Sequence, residues 1–265
     1  MTSYKDSGVD IDAASVAVER ARRRIEETHA RAGVKVLSGI GGYSGIILHD
    51  DGTASGVSTD GTGAKTALAA FMDRLESIGI DLVAANVNDI AVTGLTPKLF
   101  VDYVGTGKIK PEKFAALIKG ITDACIFSRV ALIGGETAEL PLLYSEDEYE
   151  LVGTAVGYAA SRERLILGDK ITPGMKVYGF PSSGIHTNGF HLALRALGID
   201  FSNADDARQK LGEFLPGSGA EDGFLLGDEL LRPTVIYTRI IEHLRSKYFI
   251  AGMAHISGGG MVDNP

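Results

Sequence analysis

The densest group of residues able to handle phosphate runs Ser58-Thr59-Asp60-Gly61-Thr62-Gly63-Ala64-Lys65-Thr66. Gly61 and Gly63 let the backbone approach a ligand, and a helix starting near Lys65 offers its first N–H groups to an anion. Lys65 adds a positive point charge, and Asp60 adds a hard carboxylate of the kind that suits Mg²⁺. The segment is not a Walker A loop, because Gly-Lys-Ser/Thr never occurs as a contiguous triplet. Taken alone, an Asp-Gly turn followed by a helix cap accounts for the same residues.

Further segments carry comparable chemistry. In Asp81-Leu82-Val83-Ala84-Ala85-Asn86-Val87-Asn88-Asp89, helical geometry nearly aligns Asp81 with Asn88 and turns Asp89 to an adjacent face. Burying that Asn-Asp pair demands a partner, which a metal, a nucleotide or a polar core network supplies. Gly134-Gly135-Glu136-Thr137-Ala138-Glu139 follows a buried-looking strand, where ligands commonly collect. There Glu136 suits metal and Thr137 suits phosphate, although an ordinary strand-end turn has the same composition. Ser182-Ser183-Gly184-Ile185-His186-Thr187-Asn188-Gly189 crowds hydroxyls, an amide and an imidazole at a strand-to-helix turn. His186 is the candidate for proton transfer or oxyanion donation. His255-Ile256-Ser257-Gly258-Gly259-Gly260 is a weaker feature that a hinge also explains. Neither Gly-x-Ser-x-Gly nor His-Glu-x-x-His occurs, and carboxylate ligands favour Mg²⁺ over zinc.

The balance of the 265 residues narrows the function classes. A formal net charge of -8 with both signs interspersed argues against a nucleic-acid-binding surface. Anionic nucleotides must then be held locally, by backbone N–H groups, a few basic side chains and Mg²⁺. Arg22-Arg23-Arg24 is balanced by Glu19, Glu26 and Glu27 and reads as a solvated helix face. Cys125, the single cysteine, sits in Ala124-Cys125-Ile126-Phe127 and reads as a small buried hydrophobe. No apolar stretch approaches a membrane span, and Met1–Asp6 has no signal-peptide core, so no membrane partner and a reducing cytoplasm are expected.

These groups need elements to position them. The patterning predicts a polar helix over Asp12–Arg31, a strand and hairpin through Ile46–Leu48 and Asp50-Asp51-Gly52, and a strand over Ala54–Ser58. Leu68, Phe71, Leu75 and Ile78 recur at helical spacing, and a second helix is expected over Leu82–Val92. A strand at Leu99–Val104, a helix at Pro111–Phe127, and strands at Val130–Ile133 and Tyr149–Ala159 follow, an α/β or α+β mixture. A second unit is expected from Gly168–Pro173 onward, opening with a strand at Met175–Phe180 and a helix after Asn188. Phe201–Gly223 reads as loop, Pro233 as the first turn of a long helix carrying Ile236, Ile240 and Leu244, and Phe249–His255 as a strand.

In order along the chain, Ser3–Asp12, Thr59–Lys65, Gly79–Ala84 with Val87-Asn88-Asp89, Gly134–Glu139, Ser182–Gly189, Leu231-Arg232-Pro233-Thr234 and His255–Gly260 closely resemble the phosphoribosylformylglycinamidine cyclo-ligase (aminoimidazole ribonucleotide synthetase) family. The resemblance implies a two-domain α/β fold. An N-terminal ATP-binding domain over residues 1–167 forms a β-barrel-like core with its twin in a homodimer, and a C-terminal α/β domain covers 168–265, truncated relative to the family. It implies ATP-dependent cyclisation of formylglycinamidine ribonucleotide, a small-molecule substrate, to aminoimidazole ribonucleotide, with ADP and phosphate released. It places Asp60 and Asp89 on Mg²⁺–ATP, with Asp89 also a catalytic candidate. Gly61, Thr62, Gly63, Lys65, Gly135, Glu136 and Thr137 fall to the nucleotide, and His186 to catalysis. Ser182, Ser183, Gly184, Thr187, Asn188 and His255 fall to the substrate. Two other readings stand beside this one: another ATP-using superfamily member, like selenophosphate synthetase or thiamine-phosphate kinase, and a non-catalytic nucleotide-binding dimer. The His186 segment argues against the first of these.

Overall fold

The computed structural model describes residues 11–215, 223–258 and 260–265. Most of the Ser3–Asp12 stretch, and Gly259 of the glycine run, lie outside the described residues. The chain forms α1 (Ile11–Ala32), β1 (Lys35–Ser38), β2 (Gly45–Leu48), β3 (Ala54–Gly61), α2 (Lys65–Phe71), α3 (Leu75–Val92), β4 (Thr96–Thr106), α4 (Pro111–Ser128), β5 (Ala131–Glu139) and β6 (Tyr149–Ala159). After the short 3₁₀ turn Arg162–Arg164 come α5 (Phe190–Ala196), α6 (Ala204–Leu211), β7 (Phe214–Leu215), β8 (Phe224–Leu225), α7 (Leu226–Leu230), α8 (Thr238–Lys247) and α9 (Gly260–Asp263).

The first six strands make one mixed sheet in the order β1-β2-β3-β6-β4-β5. Its only parallel pair is β4 with β5, joined by the α4 crossover. The remaining pairs are antiparallel. Helix α3 is the centre of the core. Leu82, Val83 and Val87 are fully buried, as are the sheet residues Phe100, Val104 and Ala155 packed into the same cluster. Helix α4 lies against α3 at two glycines: a Cβ on Gly79 would stand 2.4 Å from the Leu117 carbonyl oxygen, and one on Gly120 2.0 Å from that of Glu76. A side chain at either position would force the helices apart.

The other face of the sheet is open. Val57 is 46% exposed, Tyr158 45% and Val101 36%. These residues alternate with the buried positions on β3, β6 and β4, as a pleated strand requires. The sheet does not close into a barrel within one chain, since β1 and β5 are its two edges.

The structure departs from the expected elements in several places, each for a physical reason. The helical run through Leu68 and Ile78 is two helices, broken at Asp73, whose φ is +55°. Gly134–Glu139 is not a strand-end turn but the continuation of β5, paired with β4 as far as Thr106–Glu139. The polar stretch 201–223 contains α6, capped by the Asn203 side chain accepting from Asp206 N, with Asp205 and Asp206 in its first turn. Met175–Phe180 and Phe249–His255 are irregular rather than strands. Val177 is 96% exposed and Tyr178 77%; no described strand lies beside either segment to complete a ladder. The last long helix begins at Thr238 rather than at Pro233, because side chains from α3 and the His186 turn capture the intervening backbone N–H groups.

Candidate active site

Two carboxylates converge where β3 passes the C-terminal half of α3. Ser58 Oγ donates to Asp89 Oδ2 at 3.3 Å, and His255 Nδ1 lies 2.7 Å from Asp89 Oδ1, bringing the segment that carries His255 onto α3. Asp60, two residues beyond Ser58, accepts a 2.7 Å bond from the Gly61 N–H. Desolvation raises the Asp60 pKa, the Gly61 bond opposes that, and the negative charge of Asp89 adds to it. Asp60 remains open to solvent while the Asp89 side chain is 15% exposed, and two acids that repel each other at such a position form a site that a divalent cation would relieve.

Lys65 occupies a different place from the one its motif suggested. Its side chain is 0% exposed and ion-paired at 2.8 Å with Asp81, also 0% exposed. The ammonium donates to the Arg232 carbonyl at 2.7 Å and lies 6.0 Å from the centre of the Phe190 ring. Burial lowers the Lys65 pKa, while Asp81 pulls it back up. Asp81 Oδ1 in turn accepts from Thr234 N at 2.7 Å and Thr234 Oγ1 at 2.5 Å. About two helical turns further along nearly the same face of α3, Asn88 donates to the Val235 carbonyl at 2.8 Å and accepts from Tyr237 N at 2.9 Å. Residues 232–237 are thus strapped to α2 and α3 by two contacts from the Asn88 amide and three to charged side chains. Lys65 holds this strap instead of standing free for phosphate, and Asn88 serves the same strap.

The strap reaches the His186 turn. Ser183 Oγ donates to the Pro233 carbonyl at 2.6 Å. His186 Nε2 accepts from Ser183 N at 3.3 Å and Val235 N at 3.4 Å. Accepting at Nε2 fixes the neutral ring with its proton on Nδ1. Desolvation lowers the His186 pKa, in the direction that keeps the ring neutral, with Asp81 opposing it and Lys65 and His255 reinforcing it. His186 also holds φ at +59°, a backbone region rare for a residue with a Cβ.

The remaining candidates divide. Gly63, with φ +54° and open space where a Cβ would be, turns the chain into α2. Gly61 is required by the sheet: a Cβ there would meet the Leu151 carbonyl oxygen at 2.9 Å. Thr62 is buried, its Oγ1 bonded to Thr66 Oγ1 at 2.6 Å, so it faces the core. Ser182 and Asn188 are exposed, Gly184 and Thr187 half-buried, all on the turn that carries His186. Glu136 does not join the carboxylate cluster. The pairing runs Asp60–Gly153–Asp102–Gly135 across the sheet, about three strand spacings or roughly 14 Å. Glu136 pairs with Tyr103 and alternates onto the open face, away from Asp60, and its carboxylate bonds the Thr137 N–H at 2.9 Å. Gly135 is needed because a Cβ would stand 2.6 Å from Asp102 Oδ1. Asp102 itself escaped the sequence reading, as did the holding roles of Asp81 and Ser58. Burial raises the Asp102 pKa, and its signal was an acid inside the apolar run Leu99-Phe100-Val101-Asp102-Tyr103-Val104.

Known proteins carry the same arrangement of segments. The family described as AIR synthase related protein, N-terminal domain, matches residues 41–159, and its C-terminal domain counterpart matches residues 172–264. A phosphoribosylformylglycinamidine cyclo-ligase of Geobacillus kaustophilus is 44% identical over 99% of this chain and 73% of its own length. The chain belongs to the phosphoribosylformylglycinamidine cyclo-ligase family. A member from Acetivibrio thermocellus is 42% identical over all of this chain and 74% of its own, and one from Syntrophotalea carbinolica is 43% identical over 99% and 72%. Among solved structures, one described as AaThiL complexed with AMPPCP and TMP superposes with a TM-score of 0.53 at 18% identity. It covers 84% of this chain and 62% of that one, and it shows the shared mixed α/β fold. Asp60 and Asp89 fall within the N-terminal family match, and His186 and His255 within the C-terminal one.

Proposed function

We propose that this chain catalyses the ATP-dependent cyclisation of formylglycinamidine ribonucleotide to aminoimidazole ribonucleotide, releasing ADP and phosphate, in de novo purine biosynthesis. The observation that carries the reading is the joining of α3, the helix that carries Asp89, to the neutral His186 turn by one strap of backbone, residues 232–237. Family membership points to the same reaction.

The chemistry suits such a site. An amide oxygen is a poor leaving group, so ATP first phosphorylates the formyl oxygen of the substrate. The amidine nitrogen then attacks the formyl carbon, the ring closes, a nitrogen-bound proton is lost, and phosphate departs with the former formyl oxygen. Little covalent work falls to the protein, which supplies positioning and charge. Asp60 and Asp89 are the residues to hold Mg²⁺, which neutralises ATP phosphate charge when bound. Among the described residues no group of three or more His, Cys, Asp and Glu side chains closes around a metal, and that fits Mg²⁺, which takes one or two carboxylates and completes its shell from water and phosphates. The Gly63 turn leaves open backbone at the start of α2 for phosphate. His186, neutral, offers its Nδ1 proton toward developing negative charge on the substrate. Ser182, Thr187 and Asn188 flank it as substrate contacts, and His255 orients Asp89.

The same reading divides the chain at residues 167/168 and pairs two copies through the open sheet face to complete a β-barrel-like core. Glu136 then acts on the partner side of that face rather than beside Asp60, whereas Thr137, the next residue along β5, pairs with the core residue Val104 and alternates onto the other face. No helix among the described residues is long and apolar enough to cross a membrane; the proposed cytoplasmic location rests on the biosynthetic role alone. The test is incubation with ATP, Mg²⁺ and formylglycinamidine ribonucleotide. Substrate-dependent ADP and aminoimidazole ribonucleotide are expected; ATP binding without product from folded dimer would favour a non-catalytic nucleotide-binding role.

A further inference from the structure

A second cluster of polar groups lies apart from the residues assigned to the reaction. The C-terminal ends of α3 and α4, the start of β4 and one side of α8 enclose a cavity of about 100 Å³. Besides Thr96, two hydroxyl-bearing residues line it, Ser128 and Thr238. Each residue is only 7% exposed, and neither Ser128 Oγ nor Thr238 Oγ1 has a hydrogen-bond partner among the described residues. Buried hydroxyls are nearly always satisfied, because an unpaired one costs the full desolvation of the group. Finding two of them in one cavity points to an occupant.

The charges around the cavity indicate its chemistry. Lys98, Arg129, Arg239 and Arg245 line it, with Glu242 the single carboxylate. Glu242 is 3.9 Å from Arg129, too long for a tight pair. Arg245 is fixed by donation to the Arg164 carbonyl at 2.9 Å, and Arg239 lies 5.3 Å over the Phe127 ring. The chain as a whole carries a net charge of -8, so this concentration of cations is local. Guanidinium forks and hydroxyls are all donors toward an oxyanion. The cavity is well below the roughly 300 Å³ at which pockets for drug-sized ligands begin, which limits the occupant to a group the size of a phosphate.

We infer that this cavity binds a small phosphate-type oxyanion, at a place distinct from the Asp60–Asp89 cluster. The site joins α8, which follows directly on the 232–237 strap, to the ends of α3 and α4. Its occupancy therefore ties the two halves of the chain together at a second point.

The experiment is calorimetric titration of the full chain with inorganic phosphate while a saturating non-hydrolysable ATP analogue fills the nucleotide site. Saturable phosphate binding is expected, with a rise in Tm that grows with phosphate concentration. Arg129→Ala combined with Arg239→Ala should weaken that binding by about ten-fold or more. Ser128→Ala combined with Thr238→Val should also weaken it, while leaving the phosphate-free protein as stable as before or more so. Acetate at equal ionic strength should neither bind nor compete. No saturable binding, binding indifferent to both variants, or equal competition by acetate overturns the inference. All readouts are of binding, so they stand or fall independently of the cyclo-ligase assay.

Discussion

Replacing Lys65 by methionine separates the two roles open to that residue. In the structure its ammonium neutralises Asp81 inside the protein, and both side chains are 0% exposed. Lys65→Met therefore leaves a buried carboxylate with only the Thr234 donors to face it. Removing one partner of a buried pair costs about 3–5 kcal/mol, because the remaining charge is uncompensated. Asp81→Asn strands the ammonium and weakens the hold on Thr234, with a loss in the same range of about 3–5 kcal/mol. The double variant carries neither charge and packs a similar volume. Its loss should fall short of the sum of the singles by about 1–3 kcal/mol, the coupling expected of residues in direct contact. Urea unfolding of the four proteins measures the cycle. Because the strap also carries Val235 N–H to His186, the singles should lower kcat more than they raise the KM for ATP. The reasoning is refuted if Lys65→Met costs less than about 1 kcal/mol, within the range of ordinary surface changes, and chiefly raises the KM for ATP. That outcome would return the ammonium to phosphate.

Other consequences are open to direct measurement. His186 is drawn below its ordinary pKa of 6.5 in the folded protein, so its contribution to stability is fully present above pH 6.5 and is lost as pH falls from there through the depressed value. His186→Gln should flatten that part of the stability curve and lower kcat; an unchanged curve and unchanged turnover would remove the residue from the account. Burial, with a smaller effect of Asp102, pushes the Cys125 thiol up to about 12, so iodoacetamide should label it only after unfolding, and rapid labelling of the native protein would contradict its placement. Val101→Asp on the open sheet face should turn a dimer into a monomer in analytical ultracentrifugation without unfolding it, whereas a dimer that persists would mean that another surface pairs the chains.

The first 160 residues were largely legible because local patterning and tertiary packing agree there. Tyr149–Ala159 and the Pro111 start of α4 emerge where composition places them, since alternation and a helix-starting proline need no long-range information. Past residue 170 the local signals point one way and the contacts another. Pro233 and the apolar spacing after it suggest a helix, yet Asp81, His186 and Asn88 claim the N–H groups of Thr234, Val235 and Tyr237. Nothing in a one-dimensional reading shows that acceptors 49 to 153 residues upstream will compete for them. The site behaves alike. Clustering of Asp60, Asp89 and His186 as candidates was readable from residue type and company, but the inward turn of Lys65 and Thr62 was not. A lysine after a Gly-rich turn looks the same in sequence whether it meets phosphate or a buried aspartate on the next helix. Glu136 was placed with the nucleotide by motif, and strand alternation, which depends on where β5 ends, sets it on the opposite face.

The central claim is that phosphate leaves carrying the oxygen that began as the substrate's formyl oxygen. Formylglycinamidine ribonucleotide labelled with ¹⁸O at that position, turned over with unlabelled ATP in unlabelled water, measures it directly by mass spectrometry of the released phosphate. The account predicts one ¹⁸O in each phosphate formed. Unlabelled phosphate, with the label appearing in water, would contradict activation of the formyl oxygen and with it the proposed reaction path.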